Sequence, residues 1–175
     1  MVYAIIVLVS LCGLVAADQI IKYIVSTNMS VGQSVTAIDG LLNWTYVQNR
    51  GAAFGIMQGK TWFLVVVTAL VILFVLFLIF TKRFNHPLGT VAALLVTAGG
   101  IGNLIDRTVN SFVVDYIDIS PLFPFAVFNF ADCCVTVGGV MLAVYILFFH
   151  DKYAPKKSEE QEGQTDDILK NESTD

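Results

Sequence analysis

Apolar residues fill four runs of this chain, and the segments between them are polar. The runs cover residues 2–25, 61–80, about 88–107 and about 128–149. A helix rising 1.5 Å per residue needs about 20 apolar residues to cross a bilayer, so each run predicts a transmembrane helix. The second carries no charge at all and reads as a packing element. The first could pass for a signal peptide, with Val15-Ala16-Ala17 as a cleavage site. However, no Lys or Arg precedes its core, and the pattern continues through Ile20, Ile21 and Ile24.

The connections differ in kind. Residues 26–60 are rich in Gly, Ser, Thr and Asn; residues 31–44 alternate loosely, and 41–47 suit a short strand. Asn49-Arg50-Gly51-Ala52-Ala53-Phe54-Gly55 places two glycines around small residues, which suits a tight backbone. The connection at 81–87 is short, and Pro87 fits the first turn of a following helix. From residue 154 the chain is charged and free of aromatics, which predicts a disordered acidic tail. The expected fold is an all-α integral membrane protein: four transmembrane helices with a small extracytoplasmic β/loop region after helix 1. Residues 1–153 form the membrane domain and 154–175 the tail. Four spans put both termini on one side, with Lys82, Arg83, Lys152, Lys156 and Lys157. The positive-inside rule makes that side cytoplasmic, although Lys22, Arg50, Lys60 and Arg107 oppose it and keep the bias modest.

Composition agrees. The chain is 56% apolar and 14% charged, with a mean hydropathy of +0.73, beyond the range of a soluble domain. The formal charge of -4 misleads, because eight of the fourteen acidic residues lie in residues 151–175. No basic run exists for nucleic acid. Cys12, Cys133 and Cys134 all fall in apolar runs and read as packing residues.

The few carboxylates left in the body therefore stand out. Asp115 and Asp132 sit at the edges of apolar segments, and Asp132 leads into the fourth run. A carboxylate in a membrane helix costs on the order of a few kcal/mol and invites a functional reading; a helix-capping role is the simpler alternative. Asp18 and Lys22 are four apart and share a helix face. By themselves they describe an interfacial ion pair, with Lys22 reaching to the headgroups. In the third run Gly99, Asn103 and Asp106 share a face, overlapped by Gly100 and Arg107. Small residues followed by polar ones suit a helix packed closely while presenting hydrogen-bonding groups inward. Asn129, Asp132 and Thr136 make a polar stripe on the fourth, and Gly138 and Gly139 suit close packing there.

Asp18, Asn49, Asn103, Asp106, Arg107, Asp115, Asn129 and Asp132 all fall at the outer ends of spans or in outer connections, so one polar site at the outer face is the economical reading. No His cluster offers metal ligands, and Ser111 and Ser120 lack a paired Lys or His. Two carboxylates in a low-dielectric site share one proton and titrate as a unit. The charged one can activate a water while the protonated one polarises a carbonyl, which cleaves an amide with no covalent intermediate.

Five ordered blocks make the chain resemble the lipoprotein signal peptidases, the bacterial type II signal peptidases. They are Asp18-Gln19-x-x-Lys22, Asn49-x-Gly51-x-Ala53-Phe54, Gly99-Gly100-x-Gly102-Asn103-x-x-Asp106-Arg107, Val113-Val114-Asp115-Tyr116-x-Asp118 and Phe128-Asn129-x-Ala131-Asp132. The resemblance implies an aspartic endopeptidase of the bacterial inner (cytoplasmic) membrane. Such an enzyme removes the signal peptide from diacylglyceryl-modified prolipoproteins, cutting before the lipidated cysteine, with no cofactor or metal. It implies Asp115 and Asp132 as the catalytic pair, and Asn49, Gly51, Asn103, Arg107 and Asn129 at the substrate cleft. Asp18, Lys22 and Asp106 are implied as supporting groups. Membrane lipid and the prolipoprotein are the expected partners, and a monomer the expected state.

Three other classes compete. A carrier would spread its acidic residues through the bilayer depth and show internal repeats. An assembly subunit would use the same Asp and Asn groups as glue between helices. A presenilin-like protease would carry G-x-G-D, whereas here Gly100-Ile101-Gly102 runs into Asn103.

Overall fold

The computed structural model describes residues 1–51, 57 and 59–149. The Ala53-Phe54 part of the second block and the acidic tail lie outside the described residues. Among the described residues four helices form: α1 (Val2–Asn28), α2 (Thr61–Phe80), α3 (Pro87–Asn110) and α4 (Phe130–Phe148). All four are long and apolar enough to cross a membrane. Three strands, β1 (Ser34–Ile38), β2 (Leu42–Asn49) and β3 (Val113–Asp118), make one antiparallel sheet in the order β1-β2-β3.

α3 is the central helix and packs against α1, α2 and α4. Its small residues explain why. A side chain at Gly99 would meet the Ala131 carbonyl and Val135 of α4, and one at Gly102 would meet the Asp18 carboxylate of α1. Gly138 of α4 sits against the Ala92 carbonyl and Leu95, as close packing requires, but Gly139 faces open space and packs on nothing. α2 buries only Val65, Ile72 and Ile79, a single seam spaced by seven residues, and turns its other apolar faces outward. At the end of the bundle where α1 begins and α2 finishes, Val7, Leu11, Ile79, Ala93, Leu94 and Ala98 form one core. A second, of Val25, Tyr46, Val114 and Tyr116, joins the sheet to α1.

The sheet departs from expectation. Its first two strands lie after α1 as expected, but its third comes from the connection between α3 and α4. β3 is buried on both faces, so it lacks the period-two alternation that marks a half-exposed strand. α3 runs on to Asn110 and stops at Ser111, a left-handed cap with φ 63°. Two residues later the chain is β3. α4 starts later than the apolar run, at Phe130, because Phe128 pairs with Ile117 as a β-bridge and Asn129 caps the helix.

Candidate active site

Asp115 and Asp132 come from different elements and reach one cavity. β3 pairs with β2 so that Asp115 stands opposite Val47 and Val113 opposite Asn49. Asp115 is buried, and both its oxygens accept amide hydrogen bonds: Oδ1 from Asn129 Nδ2 at 2.6 Å and Oδ2 from Asn49 Nδ2 at 3.0 Å. Burial first, and then the charge of Asp132, push the Asp115 carboxyl up to about 7. The Asn49 and Asn129 amides and Lys22 pull the other way.

Asp132 occupies the third position of α4 and forms a capping box with Asn129. The Asp132 N–H donates to Asn129 Oδ1 at 2.9 Å, and the Asn129 N–H donates back to Asp132 Oδ2 at 3.1 Å. The simpler sequence reading of Asp132, a capping residue, therefore holds, yet capping uses only one carboxylate oxygen. The other, Oδ1, accepts from Asn103 Nδ2 at 2.7 Å. Asn129, fully buried, also donates to Asn103 Oδ1 at 3.2 Å. One residue thus holds both carboxylates: the Asn129 side-chain amide bonds Asp115, and the Asn129 backbone N–H bonds Asp132.

Asn49, Asn103, Arg107, Asp115 and Asp132 line a cavity of about 590 Å³, walled on its apolar side by Phe125, Val127, Phe128 and Val137. Arg107 donates to the Gly51 carbonyl at 2.9 Å, and the Gly51 N–H donates to Asn49 Oδ1 at 3.0 Å. Gly51 and the buried Asn129, both expected at the cleft, do not line this cavity; Gly51 ties Asn49 to Arg107 through its backbone, and Asn129 acts from behind the carboxylates. A smaller cavity of about 260 Å³ opens on the other side of Asn103, Arg107 and Asp132, against Val67, Thr68 and Val71 of α2. α2 gives that cavity a largely apolar wall, in keeping with its lack of charge.

Asp18, Lys22 and Asp106 line neither cavity. They form a buried cluster below the site, where the Lys22 ammonium lies 2.9 Å from Asp18 and 3.0 Å from Asp106. Lys22 is 2% exposed, so the interfacial pair with a lysine reaching to the headgroups is corrected. Asn103 and Asp106 of α3 offer it oxygen atoms inside the bundle, which headgroups need not supply.

Some contributors had no sequence signal strong enough to assign a role. Gln19 donates to Asp18 at 3.1 Å, the Gly102 carbonyl at 3.2 Å and Asp106 at 3.3 Å. The Tyr116 hydroxyl accepts the Phe130 N–H at 3.2 Å. Asp118 accepts from Thr45 at 2.7 Å and from the Ser120 N–H at 2.9 Å. Burial opposes its charge, but the bonds from Ser120 and Thr45 outweigh burial and hold it below the ordinary carboxylate value. Gln19, Tyr116 and Asp118 lay inside the motif blocks; only the folded contacts tell what they do.

A family model described as signal peptidase (SPase) II matches residues 10–148. A lipoprotein signal peptidase of Clostridioides difficile is 40% identical over 139 residues, 79% of this chain and 93% of that one. One from Streptococcus thermophilus is 43% identical over 141 residues, 80% of this chain and 90% of its own length. A bacterial membrane enzyme solved in meso at 2.3 Å resolution superposes with a TM-score of 0.75 at 32% identity, covering 87% of this chain and 93% of that one.

Proposed function

The chain belongs to the signal peptidase II family, proteases that remove signal peptides from prolipoproteins, and from that membership we propose that Asp115 and Asp132 are its catalytic pair. The observation that carries this reading is the joint position of the two carboxylates: both line one cavity, and one buried residue, Asn129, bonds both, its side-chain Nδ2 donating to Asp115 Oδ1 and its backbone N–H to Asp132 Oδ2. The pair holds one proton between them. The ionised carboxylate takes a proton from a water molecule, and that water attacks the scissile carbonyl carbon. The protonated carboxyl donates a hydrogen bond to the carbonyl oxygen as it becomes an oxyanion; when the intermediate collapses and its C–N bond breaks, the carboxyl that took the water proton gives it to the leaving amine. Near neutrality Asp115 lies close to its midpoint, the range in which an acid–base group works best.

The other groups take supporting places. Asn49, Asn103 and Asn129 hold the carboxylate oxygens so that the pair meets the substrate pre-oriented. Arg107 borders the same cleft and contacts the substrate's main chain, and the Gly51 carbonyl holds its guanidinium in place. The substrate is a diacylglyceryl-modified prolipoprotein, cut before the lipidated cysteine. Its acyl chains and signal helix are both at home in lipid, which suits a cleft whose long wall is apolar. The protein is a multi-pass membrane protein. We place it in the bacterial cytoplasmic membrane as a monomer working among membrane lipids, with residues 1–153 as the peptidase unit. Both termini are cytoplasmic and the site is at the extracytoplasmic face, on the strength of Lys82, Arg83 and the lysines that follow α4.

The test is cleavage of a diacylglyceryl-modified prolipoprotein by the detergent-purified protein and by its Asp115→Asn and Asp132→Asn variants. Each substitution keeps shape and removes the capacity to share the proton. Loss of about 10²–10⁴-fold in both, with folding intact, is the expected result. Cleavage that survives either change removes that residue from the mechanism.

A further inference from the structure

Lys22 lines neither of the two cavities described, yet each of its three partners leads to the carboxylate pair. Its Nζ lies 2.9 Å from Asp18 Oδ2, 3.0 Å from Asp106 Oδ2 and 2.9 Å from Asn103 Oδ1. Asp18 Oδ1 accepts the N–H of Ala131 at 3.0 Å, the residue before Asp132. Asp106 Oδ2 accepts the N–H of Val114 at 3.0 Å, the residue before Asp115. Asn103 bonds the Asp132 side chain itself.

We propose that Lys22 is the positioning residue of the carboxylate pair, holding the segments that carry Asp115 and Asp132 to one point and setting the orientation of the Asn103 amide. The proposal rests on the assignment of that pair as catalytic. An ammonium has donors and no acceptor, so Asn103 must turn its oxygen to Lys22 and its NH2 to Asp132. Flipped, the amide would set its oxygen against an Asp132 carboxylate oxygen and its NH2 against the Lys22 and Asn129 donors. Stability is a poor reason for such a cluster. Burying an ammonium with two carboxylates carries a desolvation penalty that apolar residues of the same volume avoid. What an apolar trio cannot do is choose the direction of an amide or anchor two N–H groups from different elements.

The experiment is steady-state cleavage of the lipidated prolipoprotein by Lys22→Met, with thermal midpoint and gel filtration checking the fold. Displacement of reacting groups from a distance lowers turnover without touching substrate contacts, so kcat falls by about 10²-fold while KM stays put. Lys22→Met leaves two buried carboxylates without a counter-ion and threatens folding. The neutral variant Asp18→Asn/Lys22→Met/Asp106→Asn removes that threat, because its amide oxygens still accept the Ala131 and Val114 N–H groups. Its kcat also falls while KM holds. Parent kcat in either folded variant overturns the proposal. So does a neutral variant that cannot fold, which would make Lys22 a folding residue only. Asp115→Asn and Asp132→Asn run beside them. If either cleaves at the parent rate, the catalytic assignment has failed by itself. If both are inactive and Lys22→Met is not impaired, only the positioning role has failed.

Discussion

At the scale of single residues, Asp115 concentrates the chemistry. Its carboxyl titrates at about 7 in the fold against an ordinary value of 3.8. A folded value above the unfolded one favours folding fully at low pH, and that advantage is lost as pH rises from about 4 through about 7. Two outcomes follow. The pH–rate profile of cleavage should fall on its alkaline side near pH 7, because the pair there loses the shared proton. A profile flat to pH 9 would contradict this. From pH 5 to pH 8 the stability of Asp115→Asn, which cannot ionise, should gain on that of the parent by on the order of a few kcal/mol, whatever the fixed cost of losing one of the two accepted N–H bonds. Thermal unfolding at the two pH values measures it. Tyr116 gives a smaller test. Tyr116→Phe removes the acceptor of the Phe130 N–H at the start of α4, and should cost about 1 kcal/mol with little change in KM.

At the scale of elements, α3 decides how near the other helices come. Gly102→Ala would press a methyl group into the Asp18 carboxylate, at the point where α1 reaches the N-terminus of α4. It should destabilise by about 1–3 kcal/mol and reduce cleavage, since Asp18 holds the N–H of Ala131. Gly139→Ala, in open space on a helix, should leave activity alone and gain about 0.5–1 kcal/mol. The two glycines look alike in sequence, each in a small-residue run within a span. The difference between them belongs to the partner helix, which local pattern does not contain. β3 shows the same limit. Its Val-Val-Asp-Tyr-Ile-Asp sequence pairs with β2 along one edge and is buried against α1 and α3, so alternation could not announce it. Strand pairing with β2 is what turns Asp115 toward Asn49.

At the scale of the whole molecule, the site is assembled where three helix ends and a sheet meet. Orientation in the membrane can be read by labelling a variant with Cys12, Cys133 and Cys134 replaced. A cysteine at Asp39 should react with a membrane-impermeant maleimide in intact cells, and one at Arg83 only after lysis. The reverse pattern would overturn the orientation. The four spans, the short strand after α1 and the family were all legible in the chain, and so was the set of polar residues that matters. The physical reason is cost: lipid tolerates so few polar groups that each survivor in an apolar run marks a use. Which survivors meet was decided only by folding. The Asn129 bond to Asp115, the Arg107 bond to the Gly51 carbonyl, and the burial of Lys22 against Asn103 and Asp106 all join residues that belong to different elements. Local periodicity reports which face of a helix is apolar. It carries no information about the depth and angle at which another helix is set against that face. Here those are fixed by the close approach at Gly99 and Gly102.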